Sequence, residues 1–435
     1  MYVATSIYWK EFNKLNDQTA GKFGFEDELM IWQRILRENI FLVAKTPMAK
    51  EIARRTLAGY HDDWDINSEY VENIVEDSKA DVNKEAKKIE GMFGNMKFDV
   101  VIGNPPYQQE AKGASTRDEP IYPQFMDLSY QLSNLVTLIT PARFLFNAGQ
   151  TSKAWNETML HDPHLKVVFY EQNSSKVFPN TDIKGGIAIT LRDATKDFGE
   201  IGIFTSHPEM ESIVNKVWKY KQHSFSKMVS SSGLYRFSNL VFEENTKLKK
   251  SVSSGTGKKI TSKIMSENND IFRKDRVLDT DVSLIGLVRN RRTHRFILRK
   301  YLQDNDFIDK YKVLIPKANG SGKLGEIIST PIIGKPSIGV TDTFISLGPV
   351  DSLEDAEAIL KYIKSKFGRA LLGVRKITQD NPKSTWQYVP MQNFTSDSDI
   401  DWTKSISEID QQLYKKYNLS DDEINFIETK VQEMD

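Results

Sequence analysis

The apolar positions of this chain alternate between two spacings. Glu28-Leu29-Met30-Ile31-Trp32-Gln33-Arg34-Ile35-Leu36 repeats apolar side chains every three to four residues and predicts an amphipathic helix. Ile40-Phe41-Leu42-Val43 is a short apolar run and predicts a strand. Pro47 suits a helix start, and Ala49 to Leu57 continues it. Residues 59–70 read as a loop, and Glu76 to Glu90 as a charged surface helix. Phe98-Asp99-Val100-Val101-Ile102 is nearly continuous in apolar character, as a buried parallel strand would be, and stops at Gly103-Asn104-Pro105-Pro106. Helix (Tyr122 to Leu132), strand (Val136 to Ile139), helix (Ser152 to Leu160) and strand (Val167 to Tyr170) follow, then a strand from Ile187 to Leu191. This alternation predicts an α/β domain with a parallel, doubly wound sheet, in which ligands sit beyond the carboxyl ends of the strands.

From about residue 206 the texture changes. Strands become short and irregular, and Ser, Gly and Lys accumulate, as in Ser251-Val252-Ser253-Ser254-Gly255-Thr256-Gly257-Lys258-Lys259. Glu354 to Phe367 predicts an amphipathic helix, and Ser420-Asp421-Asp422-Glu423 opens a final helix with a capping box. The expected division is residues 1–205, 206–395 and a helical tail, 396–435.

A length of 435 residues exceeds one ordinary core and agrees with that division. There are no cysteines, which excludes disulfides, thiolate metal sites and a cysteine nucleophile. The histidines are scattered without metal-ligand spacing. Met1 to Lys10 has no signal-peptide core and no run of 18 apolar residues occurs, so a cytoplasmic protein without a membrane partner is expected. Net charge is zero but uneven. Residues 211–350 hold 25 Lys+Arg against 13 Asp+Glu, a net of +12, so the rest of the chain carries −12. Such asymmetry points to a polyanion-facing module.

The candidate chemistry lies at Asn104-Pro105-Pro106-Tyr107. Two prolines fix the backbone and remove two N–H donors while keeping their carbonyl acceptors. The Asn104 side-chain oxygen is another acceptor, and Tyr107 adds a flat face. An exocyclic amino group on a planar base fits this set. Hydrogen bonds from that group would turn its lone pair out of the ring, and the aromatic face would hold an extruded base.

Phe98 to Tyr107 resembles the catalytic motif of amino-group DNA methyltransferases, and the order of elements resembles the gamma class of restriction-modification adenine methylases. Val136 to Leu145, Val167 to Leu191 and Thr385-Trp386-Gln387-Tyr388-Val389-Pro390 extend the resemblance. It implies a Rossmann-like methyltransferase sheet, incomplete at its N-terminal side, followed by an α+β target-recognition domain on double-stranded DNA. It further implies that Asn104 and the Pro105 carbonyl bind the adenine amino group, with Pro106 completing the motif. Tyr107 and Phe178 would stack on the base, and S-adenosylmethionine would supply the methyl group.

The cofactor half departs from the family pattern. Ala20-Gly21-Lys22-Phe23-Gly24-Phe25 has two glycines but no preceding apolar strand. Ala44 stands where an acid would bind the ribose hydroxyls, and Asp77 is the remaining acidic candidate. Three explanations stand open: a fragment of a longer chain, a partner polypeptide completing the cofactor site, or an inactive relative that only recognises DNA. Arg289, Arg291, Arg292 and Arg295, with Arg299 and Lys300, form the densest basic cluster and a candidate face for DNA. Lys258 and Lys259, and the Gly320-Ser321-Gly322-Lys323 loop, are candidates for phosphate contacts rather than full phosphate loops. Glu85-Ala86-Lys87 lacks the partner acid of a nuclease site.

Overall fold

The computed structural model describes residues 2–19, 25–110, 118–219, 223–252 and 258–434. The chain forms two compact units. The first comprises Met1–Pro141, Gln150–Tyr170 and Ile187–Ile201; the second comprises Ala142–Gly149, Glu171–Gly186 and Gly202–Asp435.

In the first unit, α1 (Tyr2–Thr19) and α2 (Phe25–Asn39) meet through Phe12 and Leu15 against Ile31 and Ile35. β1 (Phe41–Ala44) leads into α3 (Pro47–Leu57), where the Thr46 hydroxyl caps the Ala49 N–H, and β2 (Asn67–Tyr70) returns parallel to β1. The predicted single helix over 76–90 is two, α4 (Ile74–Ala80) and α5 (Val82–Met92). The break falls at Asp81, whose carboxylate accepts the N–H groups of Asn83 and Lys84. Nor is α5 wholly a surface helix, since Ala86 and Ile89 are buried. β3 (Val100–Gly103) follows. A two-residue ribbon, β4 (Gln108–Gln109) with β5 (Glu119–Pro120), leads to α6 (Tyr122–Leu132). Then come β6 (Leu135–Pro141), α7 (Lys153–Leu160), β7 (Leu165–Glu171) and β8 (Ile187–Asp193).

The sheet order is β3-β6-β8-β7. β3 and β6 are parallel, but β8 runs antiparallel to β6, so the sheet is mixed rather than wholly parallel. β7 and β8 are consecutive in the chain and neighbours in the sheet, joined by residues 172–186, which hold the short 3-10 turn Ser174–Lys176. β3 is also not the buried strand its sequence predicts. Among the described residues it pairs only with β6, and Ile102 remains 56% exposed on this edge strand. One face of the unit closes over Val71, Ile74, Val75, Ile89, Ile121 and Leu128, with Val43 and Val101 packed against them.

The second unit begins with loops 142–149 and 171–186 and continues with α8 (Pro208–Trp218) and three short helices, α9 (Asn239–Glu244), α10 (Thr246–Ser251) and α11 (Ser262–Glu267). β9 (Val282–Val288) pairs with β10 (Arg291–Ile297) antiparallel and with β13 (Ile338–Val340) parallel. β11 (Tyr311–Pro316) lies between β12 (Ile332–Gly334) and β14 (Phe344–Val350). Successive residues of a strand face opposite ways, and β11 and β14 use both faces. Val313, Ile315, Ile345 and Leu347 enter one apolar cluster, while Leu314 and Phe344 enter the other.

The first cluster is closed by α12 (Leu353–Lys364), α13 (Lys366–Gly373), α14 (Ile406–Lys416) and α15 (Asp421–Lys430). The helix predicted over 354–367 ends early because the buried Ser365 hydroxyl caps α13 through the Gly368 N–H. Residues of the predicted tail are part of this core: Ile409, Leu413, Phe426 and Ile427 are buried in it, and Lys216 of α8 pairs with Glu423 at 2.7 Å. Ser420 and Glu423 form the capping box of α15.

Lys312, on β11, is fully buried. Its ammonium donates to the carbonyls of Phe307 (2.6 Å), Lys310 (2.8 Å), Lys335 (3.1 Å) and Ile308 (3.3 Å), tying two loops to the strand. Lys312→Met keeps the aliphatic stem but orphans those carbonyls. It is expected to cost roughly 2–3 kcal/mol in urea unfolding; an unchanged midpoint would show that the carbonyl cage contributes nothing.

Candidate functional site

The turn after β3 follows from its residues. Consecutive prolines cannot donate to a ladder, so pairing with β6 ends at Gly103, opposite Leu138. Beyond the prolines, the Tyr107 carbonyl accepts the Ile121 N–H at 3.0 Å. Gln108 and Gln109 each donate a side-chain hydrogen bond, to Asp118 and Glu119, both at 3.0 Å. Lys79 of α4 holds Glu119 at 2.6 Å. The turn is therefore fixed on both sides while its centre stays open. Asn104 and Pro106 are exposed, and the Asn104 carboxamide has no partner among the described residues. The Pro105 and Pro106 carbonyls likewise accept no backbone hydrogen bond there. Tyr107 is half-buried with its hydroxyl inward and unpartnered among the described residues, and burial pushes its pKa up to about 12, so it is a neutral phenol at ordinary pH. What results is an acceptor-rich, neutral, partly aromatic edge at the carboxyl end of a parallel strand.

Thr140 carries no signal in the sequence. It sits near the carboxyl end of β6, the strand beside β3, fully buried with its hydroxyl unpartnered among the described residues. A lone threonine within an apolar strand carries no distinguishing pattern, so nothing in the sequence marked it.

The cofactor candidates fare differently. Ala44 ends β1 as a buried methyl, which accepts no hydrogen bond. Asp77 lies in the first turn of α4, where Lys88 holds its carboxylate at 3.0 Å and also contacts Glu85. Glu85, of the nuclease-like triplet, is thus a buried ion-pair partner. Residues 20–24, with their two glycines, lie outside the described residues.

Phe178 belongs to the second unit. It is half-buried in the loop between β7 and β8. Its N–H donates to the Ser174 carbonyl at 2.8 Å, and its carbonyl accepts the Thr181 hydroxyl at 2.7 Å. Gln172 anchors the same loop on the Gly322 carbonyl at 2.8 Å.

The basic cluster lies on the β9–β10 hairpin, with Arg289 and Asn290 forming its turn. Arg289 and Arg291 are exposed and have no side-chain partner among the described residues. Arg292 faces inward: it donates to the Thr330 carbonyl at 2.9 Å and lies over the Phe344 ring. Arg295 is half-buried and bonds the His294 carbonyl, Arg299 pairs with Asp304 and Lys300 with Glu244. Lys258 donates to Asn239, and the Lys259 stem packs against Gly233. Residues 253–257 lie outside the described residues.

The glycine loop at 320–323 has a different occupant from the one its letters suggest. The N–H groups of Ser321 (2.7 Å) and Gly322 (3.0 Å) converge on the Glu326 carboxylate, which Lys376 also holds. Gly322 has φ +90°, and a side chain there would strike the Ile377 backbone. This nest is filled by the chain's own anion.

Residues 38–178 match the model of the Eco57I restriction-modification methylase family. A stretch of 130 residues is 28% identical to an uncharacterized adenine-specific methylase of Mycoplasma pneumoniae, covering 28% of this chain and 31% of that relative. The match thus spans about a third of the relative's length. Among solved structures, the type IIL restriction-modification enzyme MmeI in complex with DNA aligns over 97% of this chain and 76% of its own, at 10% identity and a TM-score of 0.44. The type IIG restriction endonuclease BpuSI aligns over 90% and 56%, at 11% identity and a TM-score of 0.28.

The Tyr107 geometry separates ring from hydroxyl. Tyr107→Phe deletes a buried hydroxyl without a partner and is expected to leave stability unchanged or raise it by up to about 1 kcal/mol. A loss of more than that in thermal unfolding would reveal a partner for the hydroxyl.

Proposed function

We propose that this chain takes part in methyl transfer to the exocyclic amino group of adenine in duplex DNA, as the DNA-engaging part of a restriction-modification methylase. The observation that carries this reading is the open Asn-Pro-Pro-Tyr turn at the carboxyl end of β3, inside the segment that matches the methylase family. The Asn104 side-chain oxygen and the Pro105 carbonyl accept the two amino protons of an extruded adenine. That orientation frees the amino lone pair from the ring, and the neutral Tyr107 ring stacks on the base without competing for its protons. The second unit, with its net-basic stretch 211–350, supplies the DNA-recognition surface.

The methyl donor for this chemistry is S-adenosylmethionine. The described residues do not fit a complete cradle for it, since Ala44 offers no acceptor and Asp77 is held by Lys88. This favours a second reading, in which the chain recognises DNA and presents the base while another polypeptide segment completes the donor half. The open edge of β3, with Ile102 half-exposed, supports such completion.

Asn104→Ala is expected to lower adenine methylation at least about a hundredfold, the usual scale for losing one positioned polar partner. Duplex affinity should stay within about twofold. Sequencing of modified adenines in a host free of such marks, expressing chain and genomic neighbours together, measures the first quantity. Equal methylation by variant and parent would refute the assignment. Calorimetric titration with S-adenosylmethionine, with and without duplex, separates the two readings: micromolar binding selects the first and no binding the second.

A further inference from the structure

The turn that joins β9 to β10 carries an unfavourable residue at its first central position. Both central positions, Arg289 (φ +50°) and Asn290 (φ +59°), lie in the left-handed region, where a two-residue hairpin turn prefers Asn-Gly. An arginine gains nothing structural there, and its side chain has no partner among the described residues. The hairpin root, by contrast, is heavily braced. Pairing of β9 with β13 ends at Ile285, and the Leu287 N–H then bonds the Thr343 hydroxyl at 3.0 Å. The Thr343 hydroxyl is shared with Ser262 and Thr341, at 3.1 and 2.9 Å. Gly286 makes this possible, since a Cβ there would sit 2.7 Å from the Ser262 and Thr341 oxygens. Arg292, fixed on Thr330, holds the second strand. Past this root only the Val288–Arg291 pair and the turn remain, and Arg289, Asn290 and Arg291 are all exposed.

From this geometry we infer that the β9–β10 hairpin enters the major groove of duplex DNA, with Arg289 and Asn290 as base-reading residues that set part of the recognition sequence. The inference rests on the proposed DNA-binding role of the second unit and adds to it which residues read sequence. A two-stranded ribbon fits the major groove, about 12 Å wide. There an arginine reads the paired acceptors of guanine, and an asparagine the donor–acceptor pair of adenine. The strained turn places both at the tip, and the braced root fixes their direction, which sequence reading needs and general phosphate attraction does not. The surrounding excess of positive charge brings the groove to the tip.

The test is selection of bound duplexes from a randomised library by the full chain and by R289N/N290G. This variant installs the preferred Asn-Gly turn, so its unfolding midpoint is expected to rise by about 2–4 °C, which guards against misfolding as an explanation. The parent is expected to select a motif. The variant should lose or change the selected base at one or two adjacent positions, with discrimination there falling about five- to a hundredfold, while its affinity for unrelated duplex stays close to the parent's. A variant that selects the same motif, or binds every duplex more weakly by one factor, overturns the base-reading assignment and leaves the proposed function standing. A parent that binds no duplex overturns the proposed function itself.

Discussion

Two adjacent prolines set the conditions for the first unit's candidate site. Without N–H groups at 105 and 106, β3 cannot continue its ladder with β6, and the chain must leave the sheet at Asn104. The Pro105 and Pro106 carbonyls accept no backbone hydrogen bond among the described residues. The surrounding fold compensates on the far side of the turn, where the Tyr107 carbonyl, the two glutamine side chains and the Lys79–Glu119 pair fix the segment. Asn104 and Pro106 are exposed, so their acceptors face solvent without the cost of a buried unpaired group and stay open to a ligand.

The second unit applies a similar principle with different means. Its β11 and β14 strands are buried on both faces, which gives a stiff platform between two apolar clusters. Buried or partly buried charged groups of this unit are held internally, as with Lys312 on four carbonyls and the Glu326 carboxylate on two N–H groups and Lys376. Most of the basic cluster is likewise engaged, leaving Arg289 and Arg291 at the hairpin end without internal partners among the described residues. Charge counted along the sequence overstates the charge offered to a partner.

Much of the first unit was legible because local rules decide it. α6 and the start of α3 follow from apolar spacing and a proline, and Asn-Pro-Pro-Tyr stands out through its place after an apolar strand and its resemblance to a methylase motif. What the sequence could not show was non-local. Whether β8 pairs parallel or antiparallel with β6 is decided between residues far apart in sequence, as Leu135 with Asp193. The exposure of Ile102 depends on which strand stands beside β3. The arginine run at 289–295 gave no sign of a hairpin, because its turn lacks the glycine that normally marks one. Asp77 looked available as an acid until Lys88, eleven positions along the sequence, came to rest on it.

The central claim is that an adenine leaves the duplex and enters the Asn-Pro-Pro-Tyr turn. Extruding a base costs its pairing and stacking, so a site that holds an extruded base binds more tightly when pairing is already broken. The direct measurement is affinity of the chain for its selected duplex, compared with the same duplex carrying an abasic position opposite the target adenine. Binding tighter by about tenfold or more is expected, with the gain lost in Asn104→Ala. Equal affinity for both duplexes, or a gain that survives in Asn104→Ala, would contradict it.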